Sequence, residues 1–276
     1  MFSRMMALGL SLIAVGCSQP SGIIDKPGYR LETRLPAESQ FSRIKILVIH
    51  YTADDLPGSL KTLTGPQVSA HYLIPDRPPQ SAGKPLIWQL VPEDKLAWHA
   101  GVSFWRGATR INDTSIGIEL ENPGFSGQGA SRRFYPFSPS QLAALEPLMK
   151  EIIDRYQIAP QNVVAHGDIA PQRKVDPGPL FPWQQLAQRG IGAWPDPARV
   201  TFWLAGRAPF DPVDSDRLLT LLDRYGYQVT PGLNTEQKKR IISAFQMHFR
   251  PADYRGQADA QTEAIAQALL EKYGQD

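Results

Sequence analysis

Ile44-Lys45-Ile46-Leu47-Val48-Ile49-His50 is the stretch on which the fold turns. It is nearly continuous in apolar and β-branched residues, the pattern of a strand covered on both faces, and it ends on a histidine. Working outward, Val68 to Ile74 and Pro85 to Val91 read as further strands, separated by a loop that holds Pro75, Pro78 and Pro79. Ser115 to Glu121 alternates, with Ile116, Ile118 and Leu120 on one face and Gly117, Glu119 and Glu121 on the other. After the Gly124 to Gly129 loop a helix is expected from Ser138-Pro139, with Ser138 as N-cap and Pro139 at the first helical position. Leu142, Leu145, Leu148, Met149, Ile152 and Ile153 would form its buried stripe. Val163 to His166 is the next strand. Strands alternating with helical segments indicate an α/β layer architecture.

Around Ile191 to Pro197 this pattern breaks at Gly192, Pro195 and Pro197. Beyond the break the chain reads as helical at 197–204, 216–225, 235–249 and 259–273. Asp214 or Ser215, Asn234 or Thr235, and Asp259 are start signals for the last three helices. The predicted division is therefore a leader at 1–16, a tether and N-terminal arm at 17–40, a catalytic-type domain at 41–190, a linker with a short helix at 191–210, and a small three-helix domain at 211–276. In the leader, Arg4 precedes an apolar run from Met5 to Val15. That run is too short for a bilayer span, which needs about 20 apolar residues, and so reads as a signal segment. Ser18 to Gly28, rich in small and polar residues, reads as the tether.

Composition narrows the chemistry. The 276 residues carry 29 Lys+Arg against 27 Asp+Glu, and this near balance argues against nucleic acid as a partner. One cysteine excludes an intramolecular disulfide and a multi-cysteine zinc ribbon, so a metal site must be built from the five histidines and from carboxylates. Two histidines, His50 and His166, end apolar strands, where α/β proteins place their sites. Taken singly, such a histidine is more often a hydrogen-bonded structural residue. Their pairing with Asp176, ten residues beyond His166 and followed by Pro177, makes a two-histidine, one-carboxylate set that leaves a fourth tetrahedral position for water. Glu119, on the non-apolar face of its strand beside Gly117, reads either as a solvated carboxylate or as a general base with room for substrate next to it.

Several motifs carry a resemblance: Ile49-His50-Tyr51-Thr52, Ser69-Ala70-His71-Tyr72, Ala97-Trp98-His99-Ala100-Gly101, Asn112 to Glu119, and His166-Gly167-Asp168-Ile169-Ala170-Pro171 with Lys174, Asp176, Pro177 and Gly178. In this order they resemble the zinc-dependent N-acetylmuramoyl-L-alanine amidases of the AmpD-like, type 2 kind, over roughly 44–183. The resemblance implies a mixed central β-sheet flanked by helices and one zinc per chain, held by His50, His166 and Asp176. It makes Glu119 the catalytic carboxylate and Lys174 the group that stabilises the transition state. Equivalents of His71 and His99 lie around the substrate groove in such enzymes, with His71 reading as either structural or groove-lining; Trp98, His99 and Arg106 are candidate sugar and peptide contacts, aromatic faces suiting sugars and arginine suiting stem-peptide carboxylates. The implied reaction is hydrolysis of the amide between N-acetylmuramic acid and L-alanine in peptidoglycan or muropeptides, with the anhydro form of the sugar left open. The rival is a recognition module that has lost part of its metal site, and the complete set of five residues argues against it.

Two further resemblances bear on placement. Ala14-Val15-Gly16-Cys17 resembles the lipobox of bacterial lipoproteins, with Ala14 where leucine is usual. It implies that Cys17 carries the lipid, and Ser18 after it points to the outer membrane, facing the periplasm. The tail, with Leu221-Leu222, Tyr225-Gly226-Tyr227, Phe245-Gln246, Gly256, Asp259 and Thr262, resembles peptidoglycan-binding helical modules. Three amphipathic helices pack a core whether or not they bind anything. A monomer is expected.

Overall fold

The computed structural model describes residues 22–274. The leader and Cys17 lie outside the described residues. The described residues up to Phe41 form one unit. Within it β1 (Ile23–Lys26) and β2 (Tyr29–Glu32) pair as an antiparallel hairpin. Part of the expected tether is thus ordered strand. Pro27-Gly28 supplies the tight turn, with Gly28 at φ +89° in the left-handed region that such a turn requires.

The second unit begins at Ser42. In chain order it contains β3 (Ile46–Tyr51), α1 (Leu56–Leu63), β4 (Tyr72–Ile74), the small pair β5 (Gln80–Ser81) and β6 (Lys84–Pro85), β7 (Trp88–Gln89), and β8 (Ser115–Leu120). Then follow the pair β9 (Phe125–Ser126) and β10 (Arg133–Phe134), α2 (Pro139–Tyr156), β11 (Val163–Ala165), α3 (His166–Ile169), α4 (Trp183–Gln188), α5 (Pro197–Leu204), α6 (Ser215–Tyr225), α7 (Thr235–Phe249) and α8 (Ala260–Tyr273). The main sheet has the order β11-β3-β8-β4-β7, parallel except for the antiparallel edge strand β7. It is the expected mixed sheet flanked by helices.

The apolar run of β3 is covered on both faces, as its composition predicts. Leu47 and Ile49 pack with Ile116, Ile118 and Leu120 of β8 against Ala144, Leu145, Met149 and Ile152 of α2. Ile46 and Val48 face the other way and share a core with Trp105, Val164 and Ile169 and with Leu222, Phe245 and Leu269 of the C-terminal helices. Each fully buried aliphatic side chain contributes about 1.5–3 kcal/mol. Because side chains alternate, His50 continues the Ile46–Val48 face and Glu119 continues the matching face of β8. The parallel register pairs His50 with Glu119 at the carboxyl end of the sheet.

Capping follows the predicted signals. Ser138 accepts from Gln141 N at the start of α2, Asp214 accepts from Arg217 N at α6, and Asp259 accepts from Thr262 N at α8. At α7 the cap is Asn234, closed reciprocally by Gln237. Where the structure departs from expectation, local backbone bonds explain it. Of Val68 to Ile74 only Tyr72–Ile74 is strand, since Ser69 N instead donates to Trp98 O. Of Pro85 to Val91 only Pro85, at the end of β6, and β7 are strand, because Leu90 and Val91 both donate to the one carbonyl of His71. His166 opens α3 rather than ending a strand: Asp168 Oδ2 accepts from Ala165 N and turns the chain there. The short α1 and α4 are additional to the elements expected from the sequence. Among the described residues no helix is long and apolar enough to cross a membrane.

Candidate metal centre

Three strands deliver the site. β3 carries His50 at its penultimate position, β8 sets Glu119 beside it, and β11 leads directly into His166. The loop after α3 returns Asp176, held to its start by the bond from Gly167 N to Asp176 O of 2.8 Å. The result is a triangle of donor atoms: His50 Nδ1 to His166 Nδ1 is 2.9 Å, His166 Nδ1 to Asp176 Oδ2 is 3.1 Å, and His50 Nδ1 to Asp176 Oδ2 is 3.2 Å. All three residues are buried. A tetrahedral zinc with ligands at about 2.0–2.1 Å sets its ligand atoms roughly 3.3 Å apart, so this donor set fits it in both size and chemistry.

The outer nitrogens are also occupied. The Ser115 hydroxyl donates to Ile111 O at 2.6 Å, so its lone pair accepts from His99 Nε2 at 3.1 Å. His99 Nδ1 is then an acceptor, and His50 Nε2 donates to it at 3.0 Å. This chain leaves the Nδ1 lone pair of His50 facing the triangle. His166 reaches the same state by donating from Nε2 to Ala100 O at 3.1 Å.

Electrostatics keep His50 and Asp176 deprotonated. Burial, then the His166 charge, bring His50 down to about 4 against the pull of Asp176. Burial pushes the Asp176 carboxyl up, but His166 and His50 outweigh it and hold the carboxyl well below the ordinary carboxylate range. Glu119 goes the other way: burial first and the Asp176 charge second raise it to about 8, with Lys174 opposing. Its Oε2 is sealed from solvent and has no hydrogen-bond partner. Lys174 and Asp176 line a cavity of about 1110 Å³ together with Lys239, Ser243 and Met247 of α7.

The other predicted positions divide. Trp98 is 65% exposed and free to meet a ligand. His71 and His99 are both buried, as are the three donor residues. His71 accepts from Gly117 N and donates to Lys95 O, and His99 lies behind His50. The space beside Gly117 belongs to the His99 ring rather than to substrate, for a Cβ there would stand 2.5 Å from His99 Cγ. The Arg106 guanidinium is taken up by Tyr225 O and Tyr273 O, so it holds the C-terminal helices instead of a stem peptide. Sequence reasoning gave no role to Asn112, whose Oδ1 accepts from His99 N and Ala100 N, or to Asp168. Both fall within the quoted motifs, but neither has a spacing that announces its partners.

Fold and site together define the class. Residues 40–179 match the N-acetylmuramoyl-L-alanine amidase family, and the chain belongs to it. Over 266 residues it is 64% identical to the N-acetylmuramoyl-L-alanine amidase AmiD of Escherichia coli K12, covering 96% of each chain. It superposes with a TM-score of 0.90 and 66% identity on the structure of E. coli AmiD in complex with the substrate anhydro-N-acetylmuramic acid-L-Ala-D-γ-Glu-L-Lys, covering 92% of this chain and 99% of that one. AmpDH3 of Pseudomonas aeruginosa in complex with an anhydromuramic pentapeptide matches with a TM-score of 0.80 at 40% identity, over 91% of this chain and 99% of that one.

Proposed function

We propose that this chain hydrolyses the amide bond between the lactyl group of N-acetylmuramic acid, including its anhydro form, and L-alanine of the stem peptide, using one zinc at His50, His166 and Asp176. The observation that carries this reading is the triangle of three buried donor atoms with the Glu119 carboxyl in register beside it. The inclusion of the anhydro sugar is supported by the ligands bound to AmiD and AmpDH3. Zinc held by these three residues would supply Lewis-acid polarisation of the scissile carbonyl and would lower the pKa of water toward neutrality.

The protein's own groups do the rest. Glu119 lacks a hydrogen-bond partner at Oε2, which leaves that oxygen free to accept a proton. It takes the proton of the attacking water as the new C–O bond forms, and returns that proton to the amide nitrogen as the C–N bond breaks. Lys174, on the same loop as Asp176, sets its ammonium charge against the negative charge that develops on the carbonyl oxygen. Exposed Trp98 offers an aromatic face to the sugar.

Cys17 is the proposed lipid-bearing residue. It would anchor the enzyme as a monomer in the outer membrane, facing peptidoglycan in the periplasm; the lipobox motif supports this placement.

The test pairs a chelator with one substitution. Purified protein should carry about one zinc and lose cleavage of an anhydro-muropeptide when stripped, and Glu119→Gln should keep the zinc while losing about 10²–10⁴-fold in turnover. Full activity in metal-free protein, or turnover by Glu119→Gln near wild type, would overturn the mechanism.

A further inference from the structure

The C-terminal helices reach the segment that carries two of the three metal donors. Asp168, two residues past His166, is buried, and each of its oxygens is claimed. Oδ2 accepts from Ala165 N at 2.8 Å and from His248 Nδ1 of α7 at 2.6 Å, and Oδ1 accepts from the Tyr227 hydroxyl, just beyond α6, at 2.5 Å. A buried carboxylate with a single donor is costly, and two of its three donors here come from the helical module. The His248 ring is itself fixed, stacked on Trp183 of α4 at 3.9 Å and 19°. The bond from Asp168 back to Ala165 N closes the turn on which His166 sits. Farther along the same segment, Gln172 Nε2 donates to Gln237 O and Arg240 Nη1 donates to Gln172 O, both at 3.0 Å, so α7 also grips the loop that leads to Asp176.

We propose that the helical module is a positioning element for the metal centre, in which His248 and Tyr227 act through Asp168 to hold the 165–176 segment in its ligand-presenting shape. This rests on the reading of His50, His166 and Asp176 as the metal ligands. The module then has a task that requires no glycan contact: without these bonds the Asp168 carboxylate seeks water, the turn at His166 opens, and the donor triangle widens.

The experiment measures zinc affinity by competition with a chromophoric chelator, using the full chain and zinc alone, at a temperature where every variant is folded. Tyr227→Phe removes one hydroxyl and keeps the packing, His248→Gln removes the stacked ring, and Leu269→Ala damages the buried core of α8 while removing none of the Asp168 hydrogen bonds. Both Tyr227→Phe and His248→Gln should lose about ten-fold or more in affinity, and Leu269→Ala should lower the melting temperature with affinity unchanged. If His248→Gln does not fold, Tyr227→Phe alone decides. Affinity within about two-fold of wild type in Tyr227→Phe overturns the proposal, as does an equal loss in Leu269→Ala. A wild-type chain that binds no zinc removes the metal reading itself, and the proposal with it.

Discussion

His99 controls which nitrogen of His50 is free to bind a metal. Its own tautomer is set by Ser115, whose hydroxyl proton is committed to Ile111 O, and Gly117 is the residue that leaves room for its ring. His99→Phe keeps the ring but removes the acceptor, so it should weaken zinc binding by about 10–100-fold in a chelator competition; unchanged affinity would show that His50 needs no such partner. The proposed ligands and Glu119 are legible because they stand near the carboxyl ends of apolar strands or in a motif the family shares. The residues behind them are not. His99 lies 49 positions from His50, and His248 lies 80 from Asp168, and no periodicity links such pairs.

At the scale of elements, Glu93 ties the end of α2 to β4, accepting from the hydroxyls of Tyr156 and Tyr72 at 2.6 Å each and pairing with Arg155. Burial pushes its carboxyl up, but these bonds outweigh it and leave the pKa below the ordinary 4.5. A depressed carboxyl stabilises the fold above its unfolded pKa, and that contribution is lost as pH falls through the lower folded value. Thermal melts of Glu93→Gln should therefore show a deficit against wild type at neutral pH that narrows on acidification below 4.5. A gap independent of pH would mean that the carboxylate charge is not what matters. The central strands and α2 could be read from their composition, since Ile46–Ile49 is apolar on both faces and Ser138-Pro139 starts a clear stripe. The β1–β2 hairpin was hidden because Pro27-Gly28 serves a tight turn and a flexible tether equally well in composition.

At the scale of the whole molecule, the sheet has one face under α2 and the other under α6–α8, and the carboxyl end of β3 and β8 is left to the metal centre. A sequence divided by its punctuation at Gly192, Pro195 and Pro197 suggests two separate domains. The shared core of Val48, Val164 and Ile169 with Leu222, Phe245 and Leu269 depends on contacts between distant segments, which no local pattern encodes. Placement of the molecule turns on Cys17: Cys17→Ala should move the protein from the membrane to the soluble fraction on fractionation, and unchanged partitioning would remove the lipid anchor. The most direct test of the central claim is anomalous scattering at the zinc edge from crystals of the active, zinc-loaded protein. The predicted result is a single strong peak at about 2.0–2.2 Å from His50 Nδ1, His166 Nδ1 and Asp176 Oδ2. Active protein with no peak at that triangle would contradict it.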